Sequence, residues 1–260
     1  MKKLLFIVPL FITFGCFAVD FTLGNVIGNN GGDGILLSFH NDGNTIAGNA
    51  IGTNLVGSAN FGNDGAGVRI IIESSDNIVG GESLVEGNLI ANNRKGVVVG
   101  VNSTDESVGN SIVNNSIYRN SLPGIDLAND GPTPNHAVNP TDGPNNFQNY
   151  PVLGGFTITN SGLSIPWTLH SIPSSEFLLQ FFRNEIGDPE GRLLVFETTV
   201  TTDVNGNASG TIQIGGVPLN SPITATATHL LGEGEFGDTS EFSTPLIYGV
   251  AVCEPKPCKR

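Results

Sequence analysis

Two ionisable side chains share one repeated position. Arg69 is the third residue of "GVRI" and Asp126 the third residue of "GIDL"; Leu36 in "GILL" and Val98 in "GVVV" occupy the same place. Polysaccharide lyases need clustered acids to hold calcium, and an Arg or Lys to take the proton α to a carboxylate. Glycoside hydrolases need two carboxyl groups roughly 5–9.5 Å apart. Neither set assembles along this column. Arg69 and Asp126 lie two repeats apart, about 10 Å at strand spacing, and no second acid joins Asp126 there. Both are expected to be exposed, solvated charges. Asp126, Asp130 and Asp142 form a second grouping that could converge on calcium, because hard cations take several oxygens. Their spacing fits no loop signature, and a turn rich in Asp, Asn and Gly needs no metal.

No other motif assigns a catalytic, cofactor-binding or metal-ligating residue. His40, His136, His170 and His229 are scattered, without a nucleophile context or a zinc spacing. "GNNGGDG" (Gly28–Gly34) opens no helix and has no following Lys, which excludes a phosphate loop. "NST" at Asn102 is a glycosylation acceptor in form only. Cys253 and Cys258 bracket "CEPKPC"; an even pair in an exported chain points to a small disulfide loop, the alternative being two free thiols on a tail.

The formal charge is −13, with no basic stripe to offset it, so nucleic acid is not an expected partner. The N-terminus, "MKKLLFIVPLFITFGCFAVD", has the basic, apolar and small-residue regions of a secretory signal, with cleavage expected after Ala18. Thr13-Phe14-Gly15-Cys16 raises the lipoprotein alternative, which a bulky Phe14 and the lack of a Leu at −3 disfavour. The apolar stretch is too short and too broken by Pro9 to span a membrane, so no transmembrane segment is expected after cleavage.

The elements that position these residues repeat. The tetrapeptides begin at Gly34, Gly67, Gly96 and Gly124. A second series reads "NTIAG" from Asn44, "NIVGG" from Asn77 and "NSIVN" from Asn110; a third reads "NVIGN", "NAIGT", "NLIAN" and "NSIYR" from Asn25, Asn49, Asn88 and Asn115. The order is the same each time, as in a solenoid of three short strands per coil. Stacked coils would place Ile46, Val79 and Ile112 in one inner column, and Ile51, Ile90 and Ile117 in another. Val68, Val97 and Ile125 would face inward in the tetrapeptide series, leaving Leu36, Arg69, Val98 and Asp126 facing outward. Asn44, Asn77 and Asn110 would stack at a corner, their amides bonded to one another and to bent backbone. The first coil, Phe21–Asn30, begins without a covering helix. Its edges predict weak end-to-end self-association or a docked partner, unless Val19 to Leu23 fold back with Phe21 as a cap.

"NTIAGNAIGTN…GNDGAGVRI", "NIVGG" and "NSIYRNSLPGIDL" resemble the repeats of secreted bacterial proteins with a right-handed parallel β-helix, the pectin-lyase-like fold. The likeness covers roughly residues 24–150, with about three coils where that fold usually has many more. Composition changes after Tyr150: 24 of the 29 asparagines precede it, so the ladder chemistry ends there. Residues 131–150 read as a capping loop or linker, since prolines cannot serve inner strands. Strand character near 156–159, 163–170, 177–183, 193–202, 209–214, 223–229 and 239–247, with "GDPEG" and "DVNGN" as turns, suggests an Ig-like β-sandwich. "FFRN", "TTVTTDVNGNASGTI", "ITATAT" and "TSEFS" resemble the sandwich module that ends many such proteins. The expected organisation is all-β: signal peptide 1–18, β-helix 19–130, capping loop 131–150, sandwich 151–248 and tail 249–260. The resemblance implies an exported, non-catalytic protein that binds polysaccharide or another surface component; the alternative is a minimal polysaccharide lyase or hydrolase.

Overall fold

A computed structural model describes residues 24–138, 142–218, 220–232 and 235–247. The expected signal sequence with Cys16, the expected cap residue Phe21 and the Cys253–Cys258 pair lie outside the described residues. Eleven short strands wind three coils and part of a fourth. The first coil holds β1 (Val26–Ile27), β2 (Ile35–Ser38) and β3 (Thr45–Ile46), and the second β4 (Ala50–Ile51), β5 (Ala66–Ile71) and β6 (Ile78–Gly80). The third holds β7 (Leu89–Ala91), β8 (Lys95–Val99) and β9 (Ser111–Val113), followed by β10 (Ser116–Tyr118) and β11 (Ile125–Leu127). Corresponding strands pair in parallel, giving three sheets along the coil axis. The register aligns Ile46 with Val79 and Val79 with Ile112, and likewise Ile51, Ile90 and Ile117. These side chains are buried in one cluster with Val68, Ile70, Val97, Val99, Ile125 and Leu127. Burial of each is worth about 1.5–3 kcal/mol.

The asparagines form ladders between coils. Asn44 donates its backbone N–H and its side-chain amide to Asn77 Oδ1, both at 2.9 Å, and Asn77 donates likewise to Asn110 Oδ1 at 3.1 and 2.9 Å. Asn49 does the same to Asn88, and Asn88 to Asn115. A further ladder, unmarked by an Asn-x-Ile beat, links Asn30, Asn63, Asn93 and Asn120. Each amide oxygen accepts two donors that would otherwise be orphaned at a buried corner. Left-handed φ falls one residue before most rungs, at Asn29, Gly43, Gly48, Asp76, Asn92, Gly109 and Asn114. The ladder asparagine itself is not in that conformation; its predecessor makes the bend.

The outward column needs correction. Leu36, Arg69, Val98 and Asp126 are in register as expected, yet only Leu36 is exposed; Val98 and Asp126 are wholly buried. Arg69 Nε lies 2.8 Å from Asp33 Oδ2, and Lys95 Nζ lies 2.5 Å from Asp126 Oδ2. Ion-paired rungs on both sides hide Val98, so this face is closed rather than solvated.

After a 3-10 turn at Pro144–Phe147 the chain forms nine antiparallel strands. One sheet contains β12 (Val152–Leu153), β13 (Thr157–Thr159), β14 (Gly162–His170) and β17 (Asn207–Ile214). The other contains β15 (Glu176–Glu185), β16 (Asp188–Thr201), β18 (Pro222–Gly232), β19 (Glu235–Thr239) and β20 (Leu246–Ile247). Alternate residues of β14 and β17, namely Ile165, Trp167, Leu169, Ile212 and Ile214, share a core with Phe177, Leu179, Phe181, Ile223 and Ala225 from the second sheet. Two expectations shift. "GDPEG" is mostly strand, because β16 starts at Asp188 straight after the bend at Ile186 and Gly187. The stretch 239–247 is two strands with Ser240–Pro245 irregular between them. The two portions are continuous: Ile117 of β10 pairs with Gly191 of β16, joining the β1-β4-β7-β10 sheet to the β16-β15-β18-β19 sheet.

Candidate functional site at the end of the solenoid

The last coil has no successor to bond with, and its backbone donors turn to side-chain oxygens of later segments. Asn110 N–H donates to Asn145 Oδ1 at 3.1 Å, so Asn145 serves as the next rung of that ladder although no Asn-x-Ile beat marks it. Gly109 N–H donates to Asp238 Oδ1 and Ile112 N–H to Thr239 Oγ1. Asn114 N–H donates to Gln180 Oε1, Arg119 N–H to Asp188 Oδ2 and Leu127 N–H to Glu241 Oε1. An open parallel edge would template pairing with another chain; here it is capped. Phe147 and Phe242 pack against the end of the aliphatic core.

Between this end and its cap lies a cleft of about 420 Å³. Its apolar wall includes Leu122, Pro123, Tyr150, Pro189 and Phe242, and its polar rim includes Asp188, Glu190 and Glu241. Glu190 is almost fully buried, and its Oε2 accepts a hydrogen bond from the Asn120 side-chain amide at 2.9 Å. Burial, and then the neighbouring Asp188, push its pKa up to about 8, so it is protonated at neutral pH. Glu241 is pushed up to about 7 by burial, against hydrogen bonds from Thr133 and Leu127 N–H that favour its charged form. Asp188 is also raised, chiefly by burial. Three carboxyl groups with raised pKa in one cleft is the pattern of an acid–base site. Glu241, however, has both oxygens committed to backbone donors, and Asp188 has one. Glu190 is held by Asn120 through Oε2.

A wider basin of about 760 Å³ opens on the other side of the β10–β16 junction. Arg192 lies 4.5 Å above the Tyr118 ring, and Arg119 and Arg192 share the Glu185 carboxylate. Arg183 donates to the Gly216 carbonyl at 3.1 Å.

The residues singled out from sequence do not converge. Asp126 accepts from Gly131 N–H and pairs with Lys95, while Asp130 and Asp142 are exposed. Among the described residues no group of three His, Cys, Asp or Glu side chains could hold a metal. His40 sits near Glu73 at the surface, His136 against Phe147, His170 on Asn207 and His229 on Phe177. Sequence reasoning missed Glu190 and Glu241, since nothing in "GDPEG" or "TSEFS" announces a cap. No helix among the described residues is long and apolar enough to cross a membrane. No protein-family model matches the chain, and no curated protein sequence matches it.

Proposed function

We propose that this chain is an exported, non-catalytic surface or secreted protein that binds neutral polysaccharide in the cleft between the last coil and its cap. The coils would be right-handed, and the two antiparallel sheets would be an Ig-like sandwich module. The observation that carries the reading is the state of the cleft acids. Glu241 and Asp188 are committed as caps, and burial holds Glu190 toward its protonated form, so the concave surface carries less negative charge than its three acids would otherwise give, and is part apolar and part hydrogen-bonding. Sugar sites combine those features: an apolar ring face meets Tyr150 and Pro123, and hydroxyl groups meet the polar rim. A glycan-array screen of the mature chain tests it, followed by titration of any hit against Tyr150→Ala. Binding weakened about tenfold or more in the variant supports the site; an array without hits removes the reading. A second reading, a minimal hydrolase, is favoured by Glu190 alone, whose raised pKa suits a general acid. Product release from a bound glycan, abolished in Glu190→Gln with binding retained, would establish it.

A further inference from the structure

The structure points to a second binding surface, on the outer edge of β16. Beyond Gly191, the strand pairs with β15 on one side, and among the described residues no strand pairs with Leu193–Thr201 on the other. Open edges are ordinarily guarded by Lys, Pro or short length. This one reads "LLVFETTVT", with no Lys or Pro, and its one charge, Glu197, accepts a hydrogen bond from Gln180 at 3.1 Å. The arginine basin lies at the start of that edge. Six cationic side chains fall among the described residues, and three of them, Arg119, Arg183 and Arg192, gather here in a chain of net charge −13. Glu185 is shared between Arg119 and Arg192, Asp188 is a second acid beside both, and among the described residues Arg183 has no carboxylate partner. The basin is therefore under-neutralised. Its rim carries exposed Val56, Ile186 and Leu193.

We propose that β16 receives the carboxyl-terminal segment of another polypeptide as an added antiparallel strand. Its terminal carboxylate would be held by Arg183 and Arg192, and its last, aliphatic side chain would rest against Ile186 and Leu193. Strand addition supplies main-chain hydrogen bonds for affinity, and the charged basin fixes direction and end. A second copy pairing edge to edge would bring two acidic molecules together without a carboxylate for the basin.

The test uses the full mature chain and a labelled peptide of about eight residues, alternating Ser and Val and ending in Leu with a free carboxylate. Fluorescence anisotropy is read for this peptide, for its carboxyl-terminal amide and for Arg183→Gln. Amidation and Arg183→Gln are each expected to weaken binding by about tenfold or more, with the melting temperature of the variant unchanged. Equal affinity for acid and amide, or for wild type and Arg183→Gln, overturns the proposal. So does light scattering that shows a dimer which the peptide does not dissociate, because the edge then belongs to a second copy.

Discussion

Inside the solenoid and at its last coil, the same backbone donors meet two kinds of acceptor. Between coils the acceptor is a neutral asparagine amide supplied by every repeat, as where Asn49 meets Asn88. At the last coil it is Asn145, Asp238, Thr239, Gln180, Asp188 or Glu241, drawn from 35 to 129 residues away. A repeat can template its neighbour but cannot end itself. Termination needs partners from outside the repeats, and here half of them are ionisable. The ladders should thus be strong and indifferent to pH, and the cap weaker and sensitive to it.

The largest effect is expected where the coil core is violated. Val79→Asp buries an unpaired carboxylate between Ile46 and Ile112 and should cost more than about 4 kcal/mol in denaturant unfolding. Val98→Asp should be comparably severe, since Val98 is as buried as Val79. A mild Val98→Asp would mean that the Arg69 and Asp126 rungs part readily and that the sequence expectation of an outer face describes the molecule in solution.

The ladders come next. Asn88→Ala removes the acceptor of both Asn49 donors and the donor to Ile46 O, so a loss of about 2–4 kcal/mol is expected. Asn25→Ala, in the first described coil, removes one amide donor at an exposed position and should cost less than about 1 kcal/mol. Similar losses from the two would contradict the idea that rungs matter through burial.

Why the ladders were legible and the cap was not follows from the same contrast. Asn44, Asn77 and Asn110 recur at fixed spacing with an aliphatic residue two positions on, so period and chemistry together specify both inner column and corner. Val98 and Asp126 were misplaced because alternation gives the direction of a side chain, not what covers it; Lys95, which partners Asp126, sits outside the alternation rule. Asn145 takes a rung position through a 3-10 turn in a proline-rich stretch, without the periodic signal. Glu190 and Glu241 depend on contacts across the whole chain, to which no local pattern is tied.

At the cap, charge can be separated from hydrogen bonding. Glu241→Leu leaves Leu127 and Thr133 N–H without an acceptor and should cost about 2–3 kcal/mol. Glu241→Gln keeps one acceptor oxygen and sets an NH2 group against the other N–H, so it should cost less than the Leu variant, about 1–2 kcal/mol. Equilibrium unfolding of both variants at pH 7 checks the pair. If Gln is as damaging as Leu, the cap works through charge, and its likeness to the asparagine ladder is only geometric.

The smallest effect is the slope with pH that Glu190 gives the cap. Its folded pKa is about 8 and its ordinary value 4.5. The folded state therefore keeps a proton that the unfolded chain has released between those values. A group raised in this way contributes its stability in full below pH 4.5, loses it as pH rises to about 8, and changes nothing further above. The stability of wild type minus that of Glu190→Gln should fall across that window, and subtraction removes the other titrating groups that the two proteins share. Water entering the cleft on ionisation limits the fall to about 1–2 kcal/mol. Thermal unfolding of both proteins at intervals from pH 4 to 9 would measure it. Parallel curves would mean that Glu190 ionises near its ordinary value. The cleft would then carry a charge at neutral pH, and with it the case for a neutral sugar ligand would fall.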